Sequence, residues 1–206
     1  MNVFFHHRRG GIAWLLGLAL IAGCASPPPP PRLYRLPSSV AGSAAGDAAA
    51  VPSSETWQLL TPVALPDYLD RDALLVPEGS TGLQPLEGHR WAEPLRDALP
   101  RILRQDLARL LGADRVWAAP VPAGVTITRQ LRVELLAFEP SADRRAVQLR
   151  ARWSLLDPRA AATAPLVEQA DISAASAGPD ADSLVAAHRL ALWRLAERIS
   201  RASPTR

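Results

Sequence analysis

Two successive stretches of strict polar–apolar alternation constrain this chain more than any other feature. Val125, Ile127, Leu131, Val133 and Leu135 fall on one face of an extended chain, opposite Thr126, Thr128, Gln130, Arg132 and Glu134. Val147, Leu149, Ala151, Trp153 and Leu155 repeat the pattern against Gln148, Arg150, Arg152 and Ser154. The polar segment 140–145 between them suits a hairpin connection. Each strand has a single apolar face, which predicts an antiparallel sheet covered on one side. Shorter strands are expected at 57–64, 73–77, 115–118 and 166–174, with Leu33-Tyr34-Arg35-Leu36 as a first strand.

The cover is supplied by two amphipathic helices. From Glu93 to Leu111, the residues Leu95, Leu99, Ile102, Leu103, Leu107, Leu110 and Leu111 follow the 3.6-residue period. Pro94 suits the first turn and Gly112 the stop. Pro100 lies inside and is expected to kink the helix or split off its first turn, because it lacks an N–H and crowds the preceding turn. From Asp182 to Arg201, Val185, His188, Leu192, Leu195 and Ile199 form a second stripe. Asp180 and Asp182 at its start, and Arg194, Arg198 and Arg201 towards its end, complement the helix dipole. The expected fold is α+β, a two-layer domain in which two helices cover one face of an antiparallel sheet.

The N-terminus carries a different signal. His6, His7, Arg8 and Arg9 precede an uncharged apolar run, Ile12 to Ala22, that ends at Gly23-Cys24. An eleven-residue helix rises about 16 Å, too little for a hydrocarbon core of roughly 30 Å. A basic flank, a short apolar run and a small-residue exit are those of a secretory signal peptide, here residues 1–23. Leu20-Ile21-Ala22-Gly23 before Cys24 resembles a bacterial lipobox, so the thiol is expected to accept diacylglycerol and become an acylated N-terminus. Residues 24–31 then form a tether, with Pro27 to Pro31 in stiff polyproline II. Residues 25–31 span about 22 Å at that spacing. The domain proper covers 32–203, interrupted by an Ala/Gly/Ser-rich stretch, 38–55, expected to be disordered.

Charge and composition exclude several functions. All basic residues are arginine, so chemistry that needs a lysine amine is excluded. Removing residues 1–23 takes away Arg8 and Arg9 and no acid, which leaves 21 basic and 20 acidic groups and no field suited to nucleic acid. Trp57, Trp91, Trp117 and Trp153 are not interleaved with a basic stripe, and core packing is their expected role. Beyond the signal the only histidines are His89 and His188. His188 lies in an apolar stripe and reads as a core imidazole, while His89, on the approach to a helix, reads as a capping or surface group. A hydrolase would need one of them in a pocket beside Asp or Ser. Asp67, Asp70 and Asp72 cluster without the glycine and terminal glutamate of a calcium loop. No metal, cofactor or catalytic residue is expected, apart from the covalent lipid on Cys24.

Several segments in order resemble one family. Beside the lipobox stand Tyr34-Arg35-Leu36-Pro37, then Val63-Ala64-Leu65-Pro66-Asp67-Tyr68-Leu69-Asp70-Arg71, then Trp91-Ala92-Glu93-Pro94-Leu95 opening the first helix. Leu131 to Phe138, the Trp153 strand and the closing helix complete the series. The chain thereby resembles the ABC-type transport auxiliary lipoproteins of the PqiC/YmbA type. The resemblance implies a non-enzymatic, outer-membrane-anchored periplasmic subunit of an MCE-type (mammalian cell entry domain) lipid transport system that supports membrane integrity. Its implied partners are the membrane, through the lipid, and the MCE tunnel protein; a homo-oligomer is compatible with it. Ala25, where enteric lipoproteins retained at the inner membrane have aspartate, agrees with the outer membrane. The loop Pro66, Asp67, Tyr68, Leu69, Asp70 and Arg71 is the candidate partner surface. Two readings of it stand side by side: an interface, or a turn whose Tyr68 and Leu69 plug the end of the core. A free-standing envelope lipoprotein that binds a lipid or another envelope component is the alternative function, favoured by an apolar cleft between sheet and helices.

Overall fold

Among the described residues, eight strands and two long helices follow one another as β1 (Arg32–Tyr34), β2 (Trp57–Leu59), β3 (Ala73–Glu78), β4 (Gly82–Trp91), α1 (Leu95–Leu111), β5 (Val116–Ala118), β6 (Arg129–Pro140), β7 (Ala146–Leu156), β8 (Leu166–Ala175) and α2 (Ala181–Arg201). The computed structural model describes residues 29–40, 54–160 and 164–202. The signal segment, Cys24, residues 25–28 of the tether and residues 41–53 of the small-residue stretch lie outside the described residues. The chain divides into two units, Met1–Pro30 and Pro31–Arg206. Of the first, only Pro29 and Pro30 are described, both exposed and outside regular structure. All that follows concerns the second.

The alternating stretches form the centre of a five-stranded sheet with the order β5-β2-β6-β7-β8. β6, β7 and β8 are an antiparallel meander, with Val133 opposite Trp153 and Ala151 opposite Ala170. Along β7 every second residue from Val147 to Leu155 is buried, as a half-covered strand requires. A bulge between Leu135 and Ala137 shifts the phase of β6, so even-numbered Phe138 stays on the inner face with odd-numbered Val133 and Leu135. The outer face carries the cross-strand ion pairs Arg150–Asp171 and Arg152–Glu134, both 2.6 Å, which solvent screens and which contribute little to stability.

The fold is α+β, as expected, but its sheets are mixed. β2 lies between β5 and β6 and runs parallel to both, and a second, three-stranded sheet, β1-β4-β3, pairs β1 parallel to β4. Alternation reports which face a strand buries and carries no information on the direction of its neighbour. The stretch 57–64 follows β6 in two pieces: β2, then an isolated bridge between Ala64 and Glu134 beyond Pro62. The first long strand begins at Arg129, four residues later than its pattern suggests. Thr128 and Arg129 both donate their N–H to the Thr56 carbonyl, and Val125 belongs to the preceding turn. β4 was not expected. It contains Pro85, and its residues from Gly82 to Arg90 are half-buried or exposed without regular alternation, while the neighbouring β3 buries Leu74 and Val76.

Both helices pack on the inner face of the large sheet. α1 is one continuous helix through Pro100, so its first turn is not split off; the Arg96 carbonyl, in the first turn, loses its intrahelical donor. Gly112, at φ 118°, ends it and returns its N–H to the Ala108 carbonyl at 3.0 Å. Asp180 caps α2, with its carboxylate accepting from the Ser183 N–H at 3.0 Å. The α2 stripe is wider than its heptad pattern, with Ala187, Ala191, Trp193 and Ala196 buried as well, because this helix meets both the sheet and α1. The alanines permit that close approach. Trp57, Trp153, Phe138, Ile102 and Leu107 fill the space between the layers.

Candidate functional site

The candidate loop forms a short turn of 3-10 helix, Asp67–Leu69, between Pro66 and β3. Its residues separate into two groups. Leu69 is buried in the core, and half-buried Tyr68 packs against it. The Tyr68 hydroxyl faces the Glu139 carboxylate of β6; desolvation, reinforced by that negative charge, pushes the phenol up to about 12. Asp70 is held by a two-pronged pair with Arg96 on α1, including Nε to Oδ1 at 2.7 Å. Asp72, next along, pairs with Arg90 at 2.6 Å. Two of the three clustered aspartates are therefore committed to arginines. Among the described residues, Asp67 and Arg71 are exposed and make no side-chain hydrogen bond or ion pair. The loop thus presents Asp67, Arg71 and one side of Tyr68 to solvent, above a Leu69 anchor.

A second constellation escaped the sequence reading. Arg189 of α2 and Asp106 of α1 are completely buried and form a two-pronged pair at 2.5 and 2.8 Å. Arg189 directs two further donors at the chain just after β1: Nε reaches the Pro37 carbonyl at 2.7 Å and Nη2 the Ser38 carbonyl at 3.2 Å. Arg109 adds a third bond to this segment, to the Ser38 carbonyl at 2.6 Å, and approaches Asp106 at 3.4 Å. Burial raises the Asp106 carboxyl, and the Arg189 bonds and charge pull it back. The cluster clamps Leu36, itself buried, and the start of the small-residue stretch against both helices. The available signal was an aspartate inside an otherwise leucine-rich helix stripe, three residues from Leu103 and four from Leu110.

Neither histidine has the surroundings of a catalyst. His89, on β4, meets the Tyr34 hydroxyl through Nδ1 at 3.0 Å and so joins β4 to β1. His188 is buried between the ring edges of Trp91 and Phe138, with Nδ1 2.8 Å from the Leu184 carbonyl. That contact places the proton on Nδ1, since a carbonyl can only accept. Desolvation lowers the His188 pKa from 6.5 to about 4, against a smaller upward pull from the Leu184 carbonyl. Because the folded value lies below the unfolded one, its stability contribution is intact above pH 6.5 and is lost as pH falls towards 4, about 3 kcal/mol in all. Asp106, shifted upwards, acts with the opposite sign in acid. The unfolding free-energy gap between wild type and His188→Gln should therefore narrow when pH is lowered from neutral to about 4.5. A gap independent of pH would contradict this.

Among the described residues no group of three His, Cys, Asp or Glu side chains could hold a metal ion, and no helix is long and apolar enough to cross a membrane. Trp57, Trp91 and Trp153 are buried and pack in the core; Trp117 is half-buried.

No curated protein matches the sequence. Among the solved structures similar to it, two are matched over nearly their whole lengths. One is an uncharacterized protein, 19% identical, with TM-score 0.65, covering 84% of this chain and 98% of that one. The other is protein XCC0632 from Xanthomonas campestris, of the DUF330 family, 17% identical, with TM-score 0.64, covering 82% and 92%. At these identities the likeness is one of fold. The family described as "ABC-type transport auxiliary lipoprotein component" matches residues 34–200, from the end of β1 to the last turn of α2. That span takes in the candidate loop, the clamp and every element of both sheets except the first residues of β1, and the chain belongs to this family of transport auxiliary lipoproteins, which is not an enzyme class.

Proposed function

We propose that the protein is an outer-membrane-anchored periplasmic lipoprotein subunit of an MCE-type lipid transport system, where it holds the MCE tunnel protein at the membrane through the Pro66–Arg71 loop. One observation carries the reading: the lipobox cysteine, Cys24, stands ten residues ahead of Tyr34, where the match to a transport auxiliary lipoprotein family begins. A tether this short, stiffened by five prolines, keeps the domain near the bilayer and raises its effective concentration for a partner that reaches the same surface. The loop suits capture because a buried leucine and the Arg96 pair hold it in shape before binding, which lowers the ordering cost.

Affinity purification of the tagged full-length protein from detergent-solubilised envelopes tests the reading. Recovery of an MCE-domain protein is expected, and its absence after crosslinking would refute the proposal. Replacing the two free charges, Asp67→Ala with Arg71→Ala, should reduce that recovery about tenfold, as loss of contacts at an interface rim and centre does. The same double variant should unfold within about 0.5 kcal/mol of wild type, because neither side chain is packed or paired. Undiminished recovery would remove the loop from the interface.

A further inference from the structure

β8 is an outer strand of the five-stranded sheet, ten residues long and paired only to β7 among the described residues. Its register shows which backbone groups face outward. One step beyond the Ala146–Ala175 pair, the Ser176 N–H donates to the Arg145 carbonyl at 2.8 Å. Residues 145 and 176 are thus a close hydrogen-bonded pair, and such pairs alternate along an antiparallel ladder. Val147–Ala174, Leu149–Ile172 and Ala151–Ala170 are then bonded pairs too. It follows that the N–H and C=O groups of Val167, Gln169, Asp171 and Ser173 point away from the sheet. Among the described residues only one of them has a partner: the Ser173 carbonyl, which accepts from Arg194 Nη1 at 2.5 Å.

The same alternation turns Ala170, Ile172 and Ala174 towards the helix layer. Between this edge and the last turns of α2 lies a groove of about 480 Å³, walled by Arg194, Glu197, Arg198 and Arg201 and by the strand from Gln169 to Ser173. Its charge is unbalanced. Glu197 reaches only Arg201, at 4.0 Å, and Arg198 has no ion pair among the described residues. Asp171 is turned to the outer face and tied to Arg150. Proline, lysine and bulges, which commonly blunt an exposed edge, are absent from β8, and Leu166 and Val167 at its start are exposed.

We propose that this edge binds an extended acidic polypeptide segment, which pairs with β8 as a further strand and sets carboxylates at alternate positions against Arg194, Arg198 and Arg201. The two spacings agree. Side chains on one face of a strand repeat every 6.8 Å or so, close to the 6 Å or so of helix rise from Arg194 to Arg198; the shorter step of about 4.5 Å from Arg198 to Arg201 is within reach of the long arginine side chains. Backbone pairing along Val167 to Ser173 supplies affinity, and the arginines select for charge. Arg194 now occupies the Ser173 carbonyl; its transfer to a carboxylate frees that oxygen for an incoming N–H. The surface is separate from the Pro66–Arg71 loop and does not depend on the identity of the transport partner.

The test uses the full-length protein in non-ionic detergent at low ionic strength, with a fluorescein-labelled octapeptide of alternating Thr and Glu followed by anisotropy. Saturable binding is expected, weakened about tenfold or more when Gln replaces Glu in the peptide and to a similar degree by Arg198→Glu with Arg201→Glu. Gln169→Pro should abolish binding, because it removes an outward N–H and leaves the β7 ladder intact. A peptide N-methylated at alternate residues, with every carboxylate retained, carries the same question to the unaltered protein and should also fail to bind. Equal binding of the Glu and Gln peptides, or of the N-methylated and parent peptides, would overturn the proposal. So would absence of binding, or a dimer in sedimentation that Gln169→Pro converts to monomer, since the edge would then serve a second copy of this chain.

Discussion

Arg189→Ala is expected to destabilise the domain by about 3–5 kcal/mol, enough to unfold a fold of ordinary stability at modest temperature. The loss comes less from the attraction removed than from what is left behind. Asp106, fully buried, would retain a carboxylate with no charged partner except the more distant Arg109, and the Pro37 carbonyl would lose its side-chain donor. Arg109→Ala should cost under about 1 kcal/mol, because Arg109 is largely exposed and Arg189 still reaches the Ser38 carbonyl. Asp106→Leu with Arg189→Met should recover most of the loss, since a buried pair exchanged for apolar side chains of like size removes both desolvation penalties. Urea denaturation of the three variants decides it. A loss below 1 kcal/mol for Arg189→Ala, or no recovery in the double variant, would show that the pair is not the clamp described above.

The second large effect is on location. Acyl chains gain about 0.8 kcal/mol per buried methylene, so two or three of them hold a protein on a bilayer almost permanently. Cys24→Ala, which removes the only thiol in the chain, should leave the protein soluble or attached to the inner membrane by an uncleaved signal. Envelope fractionation with mass analysis of the N-terminus separates these outcomes from the expected wild-type result, a diacylglyceryl-modified Cys24 in the outer membrane. An outer-membrane fraction unchanged by the substitution would contradict the anchor. The two predictions are independent, because Cys24→Ala leaves the Asp106–Arg189 pair untouched and should not alter the unfolding free energy of the domain.

The parts of the fold that were legible in the sequence are those where burial imposes a period. β7 alternates without exception, and both helices begin and end within two residues of the bounds expected for them, 93–111 and 182–201. The parts that were not legible lack such a period. β4, half exposed and broken by Pro85, reads as loop, and the parallel partners of β2 lie about sixty and seventy residues away in the chain, where no local pattern can specify them. The candidate loop was half legible. Its aromatic and charged residues stood out, but the division of labour among them, with Leu69 in the core, Asp70 spent on Arg96 and Asp67 and Arg71 left free, depends on what α1 places beside them.

From its residues alone the chain offers a lipobox-like sequence and a run of five prolines, and it specifies a half-covered sheet, two covering helices and, through ordered short segments, a family. Each of these depends on neighbours in sequence: consecutive small residues before a cysteine, a run of prolines, a period of 2 or 3.6. Only the tertiary structure joins Asp106 to Arg189, 83 residues away, and draws the chain after β1 beneath them. Only the tertiary structure, likewise, leaves β8 at an edge with arginines of α2 beside it. Partner choice at long range is decided by packing and desolvation, which act on whichever groups the fold brings together, and a one-dimensional pattern has no term for either.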